Sequence, residues 1–114
     1  MVKAKKPAKA AASMEAAARP RATWTVKYTE SAQAGAENLP EKFRAILTAL
    51  VLEIEKMGPV RGNWPNYSKL GQDRHHCHLK KKSKPTYVAV WEVRGNTVRL
   101  VEVTYAGTRE NAPY

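Results

Sequence analysis

The sequence has only one cysteine, Cys77, so the chain cannot form an internal disulfide. This is typical of proteins in a reducing compartment, and we expect a cytoplasmic protein. No apolar run approaches the roughly 20 residues that a transmembrane helix requires. The basic N-terminal region also lacks the apolar segment of a secretory signal. The sequence therefore predicts no association with a membrane.

Acidic residues are scarce in the two regions where basic residues concentrate. Residues 1–21 hold six Lys or Arg and one Glu, and residues 69–84 hold six and one Asp, so each region carries a net charge of +5. Residues 22–68 and 85–114 are each neutral. Focused positive charge attracts polyanions, most commonly nucleic acid. The alternative is that this charge only keeps the protein soluble.

The chain length of 114 residues suits one small domain and not two. Residues 1–21 are rich in Ala and Lys and have no apolar face that could pack, so we interpret them as a basic, flexible tail. Residues 22–114 then form the folded domain. The hydrophobic fraction of the chain, 43%, is adequate for a core.

The first half of this domain predicts a strand and two helices. Residues 24–29 alternate large apolar with polar side chains, as a strand with one buried face does. Residues 31–37 are rich in Ala and favour a short helix. Apolar residues recur at helical spacing from Phe43 to Met57 and form one stripe. We expect Asn38 to cap this longer helix and Gly58 to end it.

Two β-rich runs flank Gly95-Asn96, which is the signature of a tight hairpin. A two-residue turn would pair Val93 with Val98 and would set Glu92 opposite Arg99. One apolar face of this hairpin would then remain uncovered by the long helix and would need a loop, a dimer partner or a separate protein to cover it. We expect a separate protein partner to bind it, and the alternative is that the long loop around Trp64 folds over it. The valines of that face would be Val88, Val90, Val101 and Val103.

All three histidines, four lysines and the only cysteine fall within residues 74–84. This run predicts a strand followed by a basic loop. Because side chains alternate along a strand, Cys77 would face the core, and His76 and His78 would face the opposite side. Lys80 would continue that outward row. The row combines proton-transfer groups with cations and holds no carboxylate, which suits a phosphodiester better than a metal ion.

A metal site is the alternative use of these histidines. Consecutive residues of a strand point to opposite faces, so residues 75–78 cannot converge on one zinc ion. His76 and His78 alone would supply two ligands, and no neighbouring carboxylate or cysteine completes the set. We therefore expect neither a metal nor another cofactor. We interpret Cys77 as a core residue rather than a nucleophile.

The order of elements resembles the RelE/ParE superfamily of bacterial type II toxins. The matching features are a strand, a helical segment, a long loop and a three-stranded meander containing Tyr87 to Val93, then Gly107-Thr108-Arg109-Glu110 and Tyr114. The resemblance covers residues 22–114. It implies a small α+β domain, with helices packed on one face of an antiparallel sheet made of the N-terminal strand and the meander. It also implies action on messenger RNA at the ribosome and a cognate antitoxin that wraps and neutralises the toxin.

The same resemblance implies which residues act. The family places two basic groups one residue apart on the strand where His76 and His78 fall. Its arginine after the last strand matches Arg109. Its C-terminal tyrosine matches Tyr114, with one residue of slippage. These four residues are the expected catalytic set.

The family's usual arginine on the middle strand aligns with Val88, so that role is missing or has moved to a lysine of the loop 80–84. We expect the basic residues around the histidine strand to bind RNA. They are Arg74, Lys80, Lys81, Lys82 and Lys84.

Metal-free RNA cleavage needs a base for the 2′-hydroxyl, cations around the phosphate and an acid for the departing 5′-oxygen. Two histidines about 7 Å apart along a strand, each with an ordinary pKa near 6.5, can flank a phosphate. The expected function is therefore a metal-independent endoribonuclease that inhibits translation. The alternative is a non-catalytic member of the same fold that binds RNA or inhibits DNA gyrase. The histidines would then be solvated side chains on an exposed face.

Overall fold

The computed structural model describes residues 23–82, 84–95 and 99–114. The tail predicted for residues 1–21 and Asn96 of the predicted turn lie outside the described residues. Among those residues, no helix is long and apolar enough to cross a bilayer. The elements in chain order are β1 (Thr25–Tyr28), α1 (Glu30–Glu37), α2 (Glu41–Met57), β2 (Ser68–Lys69), β3 (Arg74–His78), β4 (Tyr87–Gly95), β5 (Leu100–Thr108) and a 3-10 turn (Arg109–Asn111).

Five strands form one mixed sheet in the order β1-β5-β4-β3-β2. Strands β3, β4 and β5 form the predicted antiparallel meander, and β2 pairs antiparallel with β3. Strand β1 pairs with β5 in parallel, with Thr25 opposite Leu100. The chain between these two strands contains both helices and the rest of the sheet, which gives the long connection that parallel pairing requires. The predicted α+β class is confirmed, with a sheet that is mixed rather than wholly antiparallel.

The boundaries of the two helices follow from their capping residues. The hydroxyl of Thr29 accepts a hydrogen bond from the backbone N–H of Ala32 at 3.1 Å and caps α1. Asn38 was expected to cap α2 but is the C-terminal cap of α1, and α2 begins after Pro40 without a side-chain cap. Gly58 ends α2 as predicted. Its φ of 98° lies in the left-handed region that favours glycine.

The apolar stripe of α2 packs against one face of the sheet, as predicted. The indole of Trp91 is fully buried in this core, and its N–H donates to the carbonyl oxygen of Pro59 at 2.9 Å. Met57 is 70% exposed, so the buried stripe ends at Ile54. Burying each large apolar side chain stabilises the fold by about 1.5–3 kcal/mol. The core includes Leu47, Leu50, Ile54, Cys77, Leu79, Ala89, Trp91, Val101 and Val103.

One carboxylate ties the long loop after α2 back to that helix. Glu53 Oε1 accepts hydrogen bonds from Arg61 Nη1 at 2.9 Å, Asn63 Nδ2 at 3.1 Å and Trp64 Nε1 at 3.0 Å. These hydrogen bonds hold the pKa of Glu53 below its usual value, and the bond from Trp64 has the largest effect. The loop is thereby fixed where it leads into β2. This edge strand pairs with β3, the strand that carries the histidines.

Helix α1 lies against the second half of β5, where β1 no longer pairs with that strand. Gly35 allows the close approach, because a Cβ at this position would overlap the carbonyl oxygen of Ala106. A larger residue would push α1 away from the strand. This contact leaves α1 beside the end of β5 that leads into the 3-10 turn.

The predicted hairpin register is wrong. Val93 lies opposite Val101 rather than Val98, and Gly95 lies opposite Leu100, so the connection is longer than a two-residue turn. The register differs from the predicted one by an odd number of residues. Because side chains alternate along a strand, such a shift turns Val101 to the opposite face of the sheet.

The predicted ion pair between Glu92 and Arg99 is wrong for the same reason. Glu92 lies opposite Glu102, and two like charges in that arrangement repel each other. Arg94 bridges them, with Nη1 at 2.8 Å from Glu92 and Nε at 2.8 Å from Glu102. The guanidinium therefore compensates a pair of carboxylates that the sequence pattern did not predict.

The open valine face predicted for the hairpin is also wrong. Val101 and Val103 lie in the core beneath the helices, whereas Val88 and Val90 lie on the opposite face of the sheet. All four are at most 1% exposed. A partner protein therefore cannot bind these valines as one open surface.

Val101→Asp should unfold the isolated domain. The introduced carboxylate would lose its hydration without gaining a partner, and we expect a loss of at least about 3 kcal/mol in the free energy of unfolding. Leu52→Asp is the control, because Leu52 is 49% exposed on α2 and the substitution should cost less than about 1 kcal/mol. Urea denaturation followed by circular dichroism measures both. Near-native stability of Val101→Asp would contradict the burial described above.

Candidate active site

The face of the sheet turned away from the helices carries the predicted site. His76 and His78 of β3 lie opposite Val90 and Val88 of β4. On the other side of β4, Val90 lies opposite Tyr105 of β5. Residues directly opposite in neighbouring strands share a face, so the two buried valines form an apolar floor between histidines and tyrosine.

The structure brings the four predicted catalytic residues together at one end of this face. The ring centroids of His76 and His78 are 6.2 Å apart. The ring of Tyr114 packs on His76 with a centroid distance of 4.5 Å. Arg109, in the turn after β5, is close enough for its charge to influence both histidines. We call these four residues, His76, His78, Arg109 and Tyr114, the basic cluster.

His76 is the more enclosed of the two histidines. It is 8% exposed, and its Nδ1 lies 3.1 Å from the hydroxyl oxygen of Ser68. This contact fixes the orientation of the ring and leaves Nε2 as the atom available for proton transfer. Sequence reasoning missed Ser68, because β2 has only two residues and shows no periodicity.

Burial and neighbouring charge keep both histidines neutral near pH 7. Burial lowers the pKa of His76, a hydrogen bond to the backbone of Ser68 opposes this shift, and the charge of Arg109 lowers the pKa further. Burial likewise lowers the pKa of His78, with smaller contributions from His76 and Arg109. A neutral imidazole can accept a proton, so the geometry and charge suit general-base chemistry.

The ring of Tyr114 is covered on one side by His76 and is otherwise partly exposed to solvent. Burial raises the pKa of its hydroxyl, although Arg109 acts in the opposite direction, so the hydroxyl stays protonated near pH 7. The side chain remains 49% exposed while its ring contacts His76. Tyr114 can therefore donate a hydrogen bond or stack on a further ring.

Arg74 holds the segment that carries Tyr114. Its Nη2 donates to the carbonyl oxygen of Pro113 at 3.2 Å, and its Nε lies 3.4 Å from Glu92 Oε2. The guanidinium thus links β4 to the C-terminal segment and positions Tyr114 over His76. The contact of Arg74 with RNA stays a prediction. The structure shows its guanidinium already in contact with Pro113 and Glu92.

The four predicted RNA-binding lysines lie in the connection from β3 to β4 and are exposed. Lys80 does not continue the histidine row, because β3 ends at His78 and the Lys80 side chain lies beside that of Lys42 in α2. Contact with Lys42 lowers the pKa of Lys80. The connection nevertheless reaches Arg109, whose backbone N–H donates to Thr86 at 2.8 Å. We call Lys80, Lys81, Lys82 and Lys84 the lysine loop.

The third histidine lies on the opposite face of the sheet. His75 is buried against Trp91 in a stacked arrangement with ring centroids 5.9 Å apart, and its Nδ1 lies 2.7 Å from the hydroxyl of Tyr67. In the described part of the chain, no group of three His, Cys, Asp or Glu residues is placed to hold a metal ion. Cys77 is fully buried, and burial raises the pKa of its thiol to about 12, so it stays protonated.

The architecture is similar to that of solved RelE structures. Escherichia coli toxin RelE with two arginines replaced by alanine, in the free state, matches with a TM-score of 0.60 and 18% identity, covering 78% of this chain and 86% of that chain. The intact E. coli RelBE toxin–antitoxin complex gives 0.60 and 18%, covering 77% and 99%. The archaeal RelE–RelB complex from Pyrococcus horikoshii gives 0.57 and 14%, covering 79% and 99%.

The sequence itself matches no known family profile and no curated protein. The similarity to the solved structures is therefore a similarity of fold at low sequence identity. On that basis the chain has a RelE-like fold.

Arg74→Ala should release Tyr114 from His76. Loss of the bond to Pro113 would free the C-terminal segment, and the less covered imidazole should show a pKa closer to its ordinary value, which means an upward shift. Titration of the His76 ring by NMR measures this, together with the cross-peaks between the two rings. Arg94→Ala is the control, because Arg94 also pairs with Glu92 but has no bond to Pro113. An unchanged His76 pKa with ring contacts intact would show that Arg74 does not position Tyr114.

Proposed function

We propose that this protein is the toxin of a type II toxin–antitoxin pair and acts as a metal-independent endoribonuclease on ribosome-bound messenger RNA. Such cleavage would inhibit translation in the cytoplasm. The observation that carries the proposal is the convergence of His76, His78, Arg109 and Tyr114 on one face of a RelE-like fold. Two of the solved structures with this fold are RelE–RelB complexes, which supports a cognate antitoxin as the partner.

The proposed reaction uses the two histidines on opposite sides of one phosphate. The neutral imidazole of one takes the proton of the 2′-hydroxyl, and the 2′-oxygen attacks phosphorus. The bond from phosphorus to the 5′-oxygen breaks, and the other histidine, in its protonated form, donates a proton to that oxygen. The products are a 2′,3′-cyclic phosphate and a free 5′-hydroxyl. The separation of 6.2 Å between the ring centroids places both imidazoles within reach of the same phosphate.

The remaining residues of the site stabilise charge and hold the RNA. Arg109 is exposed, and no carboxylate of the described residues forms an ion pair with it, so its guanidinium is available for the phosphate oxygens. Tyr114 would stack on a base through its exposed surface or donate its hydroxyl proton to the phosphate. The lysine loop would bind phosphates further along the strand.

The second candidate function is binding without cleavage, as an RNA-binding module or a gyrase inhibitor. One observation favours it. Val88 occupies the position of the family's middle-strand arginine and is fully buried beside His78. The cluster therefore has one cation fewer at its centre than the family pattern implies, and Arg109 would have to stabilise the charged transition state with help from the lysine loop.

Purified protein should cut ribosome-bound message without an added metal and leave 2′,3′-cyclic phosphate ends. EDTA should not stop the reaction when polyamines keep the ribosomes intact. His78→Ala should slow cleavage by about 10²–10⁴-fold, as expected for loss of a general acid or base. Mass spectrometry of the cut ends identifies the product. Tight binding without any cut would leave only the second candidate function.

Induced expression without a partner should arrest bacterial growth together with protein synthesis. Arg109→Ala should grow normally at equal protein level, because the phosphate would lose its nearest free guanidinium. Arg94→Ala is the control and should remain toxic, since Arg94 pairs with Glu92 and Glu102 away from the basic cluster. Pulse labelling of protein and plasmid supercoiling assays separate the targets. Loss of supercoiling while translation continues would indicate a gyrase inhibitor.

A further inference from the structure

A cavity of about 430 Å³ lies between α1 and the end of β5, and Thr108 and Asn111, which flank Arg109 in the chain, contribute to its lining. Its volume is within the range of about 300–1,000 Å³ that is typical of small-molecule sites. Gly35 lies on the cavity wall where α1 approaches β5 most closely, and the strand continues past this contact into the 3-10 turn. The side chains that matter for its chemistry are Ser31, Asn38, Tyr87, Tyr105, Thr108 and Asn111.

Tyr105 connects this cavity to the basic cluster. It lies on the histidine face opposite Val90, and its hydroxyl donates to the carbonyl oxygen of Thr108 at 2.7 Å. Its ring crosses Gly107, where a Cβ would come within 2.7 Å of the Tyr105 hydroxyl. Arg109 follows Thr108 directly. A nucleotide whose phosphate contacts Arg109 would therefore have the cavity within reach of its neighbouring base.

The lining of the cavity is aromatic and polar but carries no charged side chain among its described residues. Asn38 and Asn111 are exposed, and neither side-chain amide bonds to another described residue. Each amide offers one acceptor and two donors to a ligand. Tyr87 and Tyr105 add ring surface. Uncharged amides beside aromatic rings suit the edge and face of a nucleobase, whereas a phosphate or an acidic peptide would require cations.

We propose that this cavity is a nucleobase subsite that holds the base next to the scissile phosphate and gives the protein a base preference. The basic cluster would bind the phosphate because it is positively charged, and the uncharged cavity would bind the base. The inference rests on the proposed function for its place in RNA cleavage. Binding of a nucleotide to the cavity does not itself require cleavage, so the two can be tested apart.

Titration of the full chain with AMP, GMP, CMP and UMP, followed by NMR, tests the subsite, with inorganic phosphate as the reference ligand. Phosphate should perturb only signals of the basic cluster. The nucleotides should also perturb the side-chain amides of Asn38 and Asn111 and the ring of Tyr105, and the four bases should differ in affinity. Perturbations confined to the basic cluster for all four nucleotides would overturn the proposal, and the cavity would then be open to a peptide side chain.

Two variants localise the effect. Ser31→Phe places a ring in the cavity and should weaken nucleotide binding by about tenfold, comparable to the loss of one base–aromatic stack, with phosphate binding unchanged. Thr48→Phe is the matched control, since Thr48 lines a separate cavity of about 260 Å³ between α1 and α2. Asn111→Ala, on the exposed turn, should also weaken binding if Ser31→Phe does not fold. Equal nucleotide affinity in the folded cavity variant and in Thr48→Phe would overturn the proposal.

The outcomes also separate this inference from the proposed function. A protein that binds nucleotides in the cavity but cuts no RNA would refute the nuclease and support the subsite. A protein that cuts RNA with no base preference, and with the cavity signals unperturbed, would refute the subsite and support the nuclease.

Discussion

The candidate site depends on how β4 is paired between β3 and β5. The pairing sets Val88 and Val90 on the side away from the helices and sets His78 and His76 directly beside them. On the other side, a register shift between Val90 and Trp91 lets Tyr105 join the same face while Val103 stays in the core. Without that bulge, the residues of β5 beyond it would exchange faces, and neither Tyr105 nor the cavity beside it would meet the histidines.

The electrostatics of the site follow from this placement. Each histidine lies beside a buried valine of β4, and burial lowers the pKa of both imidazoles. Arg109 supplies permanent positive charge close to the histidines, while Arg74 and Arg94 compensate the carboxylates at the other end of the face. A bound phosphodiester would add negative charge near the histidines and favour protonation of one of them. Under the proposed function, the arrangement would hold a neutral acceptor in the free protein and allow a donor once RNA binds.

Much of this could be predicted from the sequence because it depends on local patterns. The 3.6-residue periodicity of α2, and the alternation that sets Cys77 in the core and His76 and His78 on the other face, are properties of consecutive residues. The register of the hairpin is not, because it depends on a bulge and a connection whose length the Gly95-Asn96 pair alone does not determine. The contacts of Ser68, Arg74 and Tyr105 also join residues that are distant in the chain or lie in very short strands.

The crystal structure of the complex with a short RNA that lacks the 2′-hydroxyl at one nucleotide tests the central claim most directly. The missing nucleophile prevents cleavage and leaves the scissile phosphate in place. The account predicts that this phosphate lies between the His76 and His78 rings, with Arg109 at hydrogen-bond distance from one of its oxygens. A phosphate bound only by the lysine loop, with both imidazoles beyond reach of the RNA, would contradict it.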